Sequence, residues 1–151
     1  MKNHFKLREV RLTYKGKSDI NSQPEIHISQ QAYDLLIREC YDPETIEYRE
    51  SIKLIFLNVK KRVLGIMNLT DGGISTATAD VKIIMQAALL SCACGIIISH
   101  NHPSKSVKPS KDDDCLTYKL KKACEVMSIE FCDHIIVTPE SYYSYSDEGR
   151  L

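Results

Sequence analysis

Residues 94 to 114 read CGIIISHNHPSKSVKPSKDDD, an apolar β-branched run, two histidines one residue apart, a polar stretch with two prolines, then Ser110 and three aspartates. Gly95 to Ser99 suits a short central strand covered on both faces, because Ile96, Ile97 and Ile98 follow one another with no polar residue between them. Pro103 and Pro109 stiffen the loop that follows, and Ser110 ahead of the acidic run starts a helix. If the strand conformation persists through Ser99, His100 and His102 point to the same side with Cα atoms about 6.5 Å apart, while Asn101 points away. Two imidazoles so placed can share one ion at about 2.0–2.1 Å each. A catalytic zinc takes a third protein ligand and leaves its fourth position to water. Asp113, in the first turn of the next helix, supplies that ligand if the loop folds the helix start back over the strand end. Ser110-x-x-Asp113 is equally a capping pattern that needs no metal, so the residues alone leave both readings open.

Working outward, residues 78–93, TADVKIIMQAALLSCA, place Val81, Ile84, Met85, Ala88 and Leu89 on one helical face. From Lys111 to Met127 the same spacing links Leu116, Leu120, Ala123, Cys124 and Met127 in a second helix, and residues 129–138, IEFCDHIIVT, read as another strand. Upstream, ESIKLIFLNVKKRVLGIMNLTDGG holds two β-rich runs around a polar turn from Asn58 to Arg62, a hairpin closed by Gly72 and Gly73. Residues 29–40 form a helix with Ser29 as N-cap, and weak alternation in VRLTYKG (10–16) and PEIHIS (24–29) suggests short edge strands. SYYSYSDEGRL adds one short edge strand at the end. The order predicts an α/β fold, a mixed sheet with helices packed on it, as a single domain over residues 1–151.

Lys+Arg and Asp+Glu are both 20, giving zero formal net charge, so the overall balance does not indicate a basic nucleic-acid surface. A local patch around Lys119, Lys121 and Lys122 remains available. No apolar run approaches the roughly 18 residues of a membrane span, and the beginning lacks a signal-peptide core, so a cytoplasmic protein is expected. Of the six cysteines, Cys92, Cys94, Cys124 and Cys132 lie in apolar patterns and are read as reduced, buried thiols. Cys92 and Cys94 form C-x-C without an answering pair, a poor zinc motif.

The joint spacing H-x-H, seven residues, Ser, two residues, Asp, here His100, His102, Ser110 and Asp113, resembles the signature of JAMM (JAB/MPN-type) metalloproteases. With "HNHPS", a following "PS", "DHIIV" and the closing "YYSYSDEGRL", the chain is similar to the RadC-like bacterial branch over about residues 45–151, with residues 1–44 expected to pack strands and a helix on that region. The resemblance implies an MPN fold and a zinc ion held by His100, His102 and Asp113. It also implies an upstream glutamate beside the zinc-bound water, a role that falls to Glu50 at the head of ESIKLIFLN, with Glu44 and Glu47 as rivals. It gives Ser110 a part in stabilising the oxyanion. Asp112 and Asp114 then remain solvated first-turn acids, His134 a core or supporting histidine beside Asp133, and His4 and His27 surface residues.

Two departures stand out. The RadC-like pattern has Gly where this chain has Lys105, which removes conformational freedom and adds a charge near the site. The longer relatives carry a helical, DNA-binding-like segment ahead of the MPN domain, and the residues before the matched region look too few and too strand-like for it. The expected function is hydrolysis of a peptide or isopeptide bond in a protein or peptide substrate. A DNA-repair accessory role and a non-catalytic MPN scaffold are the alternatives. Charge argues against direct DNA binding, and a homodimer is left open.

Overall fold

The structure, a computed structural model, describes residues 19–72 and 79–151. Strands β1 (Ser51–Leu57), β2 (Val63–Asp71), β3 (Gly95–Asn101), β4 (Glu130–Val137) and β5 (Tyr142–Ser144) form one sheet in the order β2-β1-β3-β4-β5. β1 and β2 are the expected antiparallel hairpin, turned by Asn58, whose side chain accepts from the N–H groups of Lys60 and Arg62. β3 runs antiparallel to β1 and parallel to β4, and β5 returns antiparallel on β4, so the sheet is mixed. A parallel neighbour needs a crossover, which the helix between β3 and β4 supplies. Gly95 opens β3 because a Cβ there would come within 2.8 Å of the Cys132 Sγ on the adjacent strand.

Every residue of β3 is buried, and its alternation divides the core in two. Ile97 faces α1 (Ser29–Glu39) in a cluster with Ala32, Leu35, Leu36, Ile55 and Leu57. Ile96 and Ile98 face α2 (Val81–Leu90) and α3 (Lys111–Met127), with Ile52, Leu54, Ile84, Ala88, Leu120 and Cys124. Burying each such aliphatic side chain contributes about 1.5–3 kcal/mol, and that is what fixes which face each β3 residue takes.

Several expectations are corrected. Ser29 is the first residue of α1 rather than its cap: Gln31 Oε1 accepts from the N–H groups of His27 and Ile28, doing the work of a capping side chain from inside the first turn. PEIHIS yields only an isolated bridge, Glu25 to Arg62, and the proposed strand at 10–16 lies outside the described residues, as do His4, Gly73 and Thr78. Leu89 and Met127 match the helical spacing but are 51% and 41% exposed, because each lies in the last turn of its helix, where the neighbouring residues Leu90 and Val126 also face out. Cys92 and Cys94 are exposed, since α2 stops at Leu90 and the chain turns through Cys92 at φ 55° before β3 begins. Cys124 is buried and Cys132 half-buried, and all six thiols are free. None of the described helices is long and apolar enough to cross a membrane.

Candidate metal centre

His100 has the parity of Ile96 and Ile98, so it lies on the α2–α3 face at the carboxyl end of the central strand, with Ile52 of β1 as its cross-strand partner. His102 follows one pleat later. Ser110 caps α3, its Oγ accepting from the Asp113 N–H at 3.1 Å, and the Ser110 N–H and Oγ–H both donate to Asp113 Oδ2 at 2.7 Å. The capping pattern and the ligand pattern are therefore the same structure. Reciprocal capping fixes the carboxylate and leaves Oδ1 3.1 Å from His100 Nε2, while His102 Nε2 lies 2.9 Å from His100 Nε2 and 3.6 Å from Asp113 Oδ2. All three donor groups lie within 4.8 Å of one another.

The hydrogen bonds behind these groups decide where the protons sit. His102 Nδ1 is 2.6 Å from the Ser106 carbonyl, which only accepts, so Nδ1 carries the proton and Nε2 of the neutral ring is a lone pair. Thr117 Oγ donates to the Asp113 carbonyl at 2.8 Å and so accepts from His134 Nδ1 at 2.6 Å. His134 is fully buried, stacked on Tyr145, and its burial holds its pKa well below the ordinary histidine value, so it is neutral. Its Nε2 then accepts from His100 Nδ1 at 2.9 Å, and in this Nδ1–H tautomer the lone pair of His100 Nε2 aims at Asp113 and His102. Two imidazole lone pairs and a carboxylate oxygen thus converge on one point. Electron-rich atoms gathered like this need a cation between them, and two nitrogens plus one oxygen is a donor set that suits a catalytic divalent metal.

The pKa directions agree. Burial pushes the Asp113 carboxyl up, but in the metal-free chain protons taken up on Nε2 of His100 and His102 turn these contacts into hydrogen bonds to Asp113, which outweigh burial and hold its carboxyl far below the carboxylate range. The same contact in the protonated ring raises the pKa of His102, against burial. The place favours positive charge, whether a proton or a metal ion.

The triad opens into a cleft of about 1010 Å³ whose walls include Glu50, Ile52, Val81, Leu116 and Lys119. Glu50 precedes β1, and extending the Ile52–His100 register by one pleat sets it across from His102. Burial raises its pKa; His100 and His102 pull it down and Asp113 pushes it up. Glu44 and Glu47 are both exposed and outside the cleft, Glu47 paired to Lys105 at 2.8 Å. Asp112 is exposed at the cleft rim, but Asp114 is not merely solvated: it accepts from Tyr145 OH and Arg150 Nη2, both at 2.8 Å, and so holds the end of the chain to α3. His27 is exposed beside Glu25. Lys105 has φ 61°, the left-handed region where glycine fits without strain.

Two residues of the site escaped sequence reasoning. Thr117 is one helical turn after Asp113, and the i, i+4 spacing was the available sign. Asn101, read only as pointing away, is fully buried and makes four hydrogen bonds to the segment on both sides of Glu50, two to Ser51 and one each to Ile46 and Arg49.

A mixed sheet flanked by helices, with two histidines and an aspartate at the end of its central strand, is the architecture of a JAB/MPN domain. The family model for the RadC-like JAB domain matches residues 26–150, and the chain belongs to that family. The UPF0758 protein of Aquifex aeolicus is 36% identical over 136 residues, 90% of this chain and 55% of that protein. Those of Streptococcus sanguinis and Porphyromonas gingivalis are 40% and 38% identical over 103 and 104 residues, 68% of this chain in each case and 45% and 46% of theirs. The chain spans about half the length of the curated relatives it matches.

Proposed function

We propose that this chain is a JAMM-type metal-dependent hydrolase that cleaves a peptide or isopeptide bond, with zinc on His100, His102 and Asp113. The observation that carries the reading is the convergence of three lone-pair donors within 4.8 Å at the floor of an open cleft, with Glu50 on its wall. A divalent ion held by these three residues would supply Lewis acidity and, were it zinc, would lower the pKa of a bound water to about 7. Glu50 takes the proton of the attacking water and returns it to the leaving amine. Its burial raises its proton affinity, which suits a base that must also act as an acid nearer neutral pH. Ser110 holds the Asp113 carboxylate in place, and its hydroxyl turns to the developing oxyanion by releasing Asp113 Oδ2. The apolar walls, Ile52, Val81 and Leu116, receive substrate side chains.

The test is a screen of the zinc-loaded chain against peptide and isopeptide libraries beside Glu50→Gln. Hydrolysis abolished by Glu50→Gln with zinc retained supports the reading. Retained zinc with no hydrolysis by the parent chain leaves a scaffold. Salt-sensitive DNA binding, indifferent to Glu50→Gln and to His102→Ala, points instead to a DNA-repair accessory.

A further inference from the structure

We infer that Asn101 is a positioning residue: from between the two histidine ligands it holds the backbone on both sides of Glu50, and so sets the distance from the proposed base to the metal centre. The inference rests on the reading of Glu50 as general base. An asparagine amide offers two acceptor and two donor positions, and here all four are used. Asn101 Oδ1 accepts from the Ser51 N–H at 2.7 Å and from Ser51 Oγ at 3.1 Å. Asn101 Nδ2 donates to the Ile46 carbonyl at 2.6 Å and to the Arg49 carbonyl at 2.8 Å. Arg49 and Ser51 are the immediate neighbours of Glu50. The Glu50 carbonyl in turn accepts from the Gly72 N–H at 2.8 Å, so the peptide units around this side chain are fixed by β3 on one side and by the chain leaving β2 on the other.

The placement is specific. Asn101 is 0% exposed, and strand alternation turns it to the face opposite His100 and His102. It cannot act on substrate from there. It can act through geometry, because one rigid strand carries His100 and leads directly into His102 on one face and carries the clamp for the base on the other. The β1–β3 pairing does not do this job, since it begins at Ile52, Glu50 lies outside β1, and residues 43–48 before it form turns. Serine or alanine at 101 would leave Ile46, Arg49 and Ser51 with unanswered backbone groups and the Glu50 segment free to shift. A misplacement of about 1 Å costs roughly a hundredfold in rate.

The experiment uses the full chain loaded with Co2+, whose visible band follows ionisation in the metal's coordination sphere, with Glu50→Gln, Asn101→Ala, Asn101→Ser and the double variant Asn101→Ser/Glu50→Gln. Metal stoichiometry stays as in the parent. Amide exchange at Ser51 and Gly72 accelerates by at least about tenfold in the Asn101 variants. The pH profile of the cobalt band shifts in the direction seen for Glu50→Gln, less for Ser than for Ala, and the double variant matches Glu50→Gln alone. If Asn101→Ala does not fold, Asn101→Ser, which keeps one donor and one acceptor, carries the comparison. Unchanged Ser51 exchange in Asn101→Ser, or a parental cobalt profile in that variant while Glu50→Gln shifts it, overturns the inference and leaves the proposed function standing. A cobalt profile untouched by Glu50→Gln sinks the role of Glu50 first, and the inference with it.

Discussion

The two faces of β3 at its carboxyl end contrast in how they treat polar atoms. On one, Ser99 shares a hydrogen bond with Tyr41 OH at 3.0 Å, and Asn101 closes all four of its positions against residues 46–51. On the other, every proton of His100, His102 and His134 points outward into supporting acceptors, and the lone pairs that remain meet at one point. Both sets are buried or nearly so. A closed set of hydrogen bonds is architecture; a set that closes on everything except a shared centre is a candidate ligand site. Burial and residue type alone do not distinguish them.

That contrast breaks most visibly if the two faces are mutated in turn. His102→Ala removes a proposed ligand, and the loss of metal affinity is expected to exceed the 10–100-fold typical of a supporting residue, while the metal-free protein loses less than about 1 kcal/mol because the ring is partly exposed at a loop start. Metal analysis after dialysis, beside urea unfolding, reads both. Asn101→Ala inverts the pattern: metal stays, and stability falls by at least about 2 kcal/mol, because three backbone partners lose their bonds and each costs about 1–3 kcal/mol when left dry. Equal metal loss in the two variants would erase the distinction drawn between the faces.

The sequence legibility of this site follows the same division. His100, His102 and Asp113 are readable because period two and the helix start are local rules, and Ser110 selects Asp113 among three aspartates by capping. β3, the hairpin and α3 are readable for the same reason. What is not local was missed. The Ser29 cap failed because a glutamine two residues on, within the first turn, supplied the acceptor. Cys92, Cys94, Leu89 and Met127 carry apolar patterns to places where the helix outruns the sheet or turns back toward it. Asn101 acquires its role from residues 46–51, which no spacing rule connects to it, and the i, i+4 spacing of Thr117 from Asp113 announces its bond to the Asp113 carbonyl but not its bond to His134.

His134 tests whether the supporting chain sets the ligand's proton. His134→Leu deprives His100 Nδ1 of its acceptor, and metal affinity falls by about 10–100-fold, less than for His102→Ala. The same variant reports on pH. The folded-state pKa of His134 is lowered by burial, so below about 6.5 the unfolded chain binds a proton that the folded chain does not. Stability of the metal-free protein therefore declines as pH falls below that value, by up to about 1.4 kcal/mol per unit, and this part of the slope disappears in His134→Leu. Parallel urea titrations at pH 7.5 and 5.5 give the difference; identical slopes in parent and variant would place the charged form of His134 in the native state.

The smallest effect is expected at Lys105, in the loop that joins β3 to α3. Its φ of 61° suits glycine, and its Nζ pairs with Glu47 Oε1 at 2.8 Å, tying the loop after His102 to the turn that precedes Glu50. Both side chains of that pair are solvent-exposed, so the tie is weak and screened by salt. The strain belongs to the backbone and is not screened. Lys105→Gly removes both at once, which makes ionic strength the discriminating variable: Tm moves by a few degrees at most at low salt and rises relative to the parent as salt increases. A loss of stability that persists in high salt would mean that the lysine, rather than the backbone conformation it tolerates, organises the loop. Metal affinity is unchanged in the variant, because the Ser106 carbonyl that orients His102 lies beyond the substituted residue and is held by its own bond.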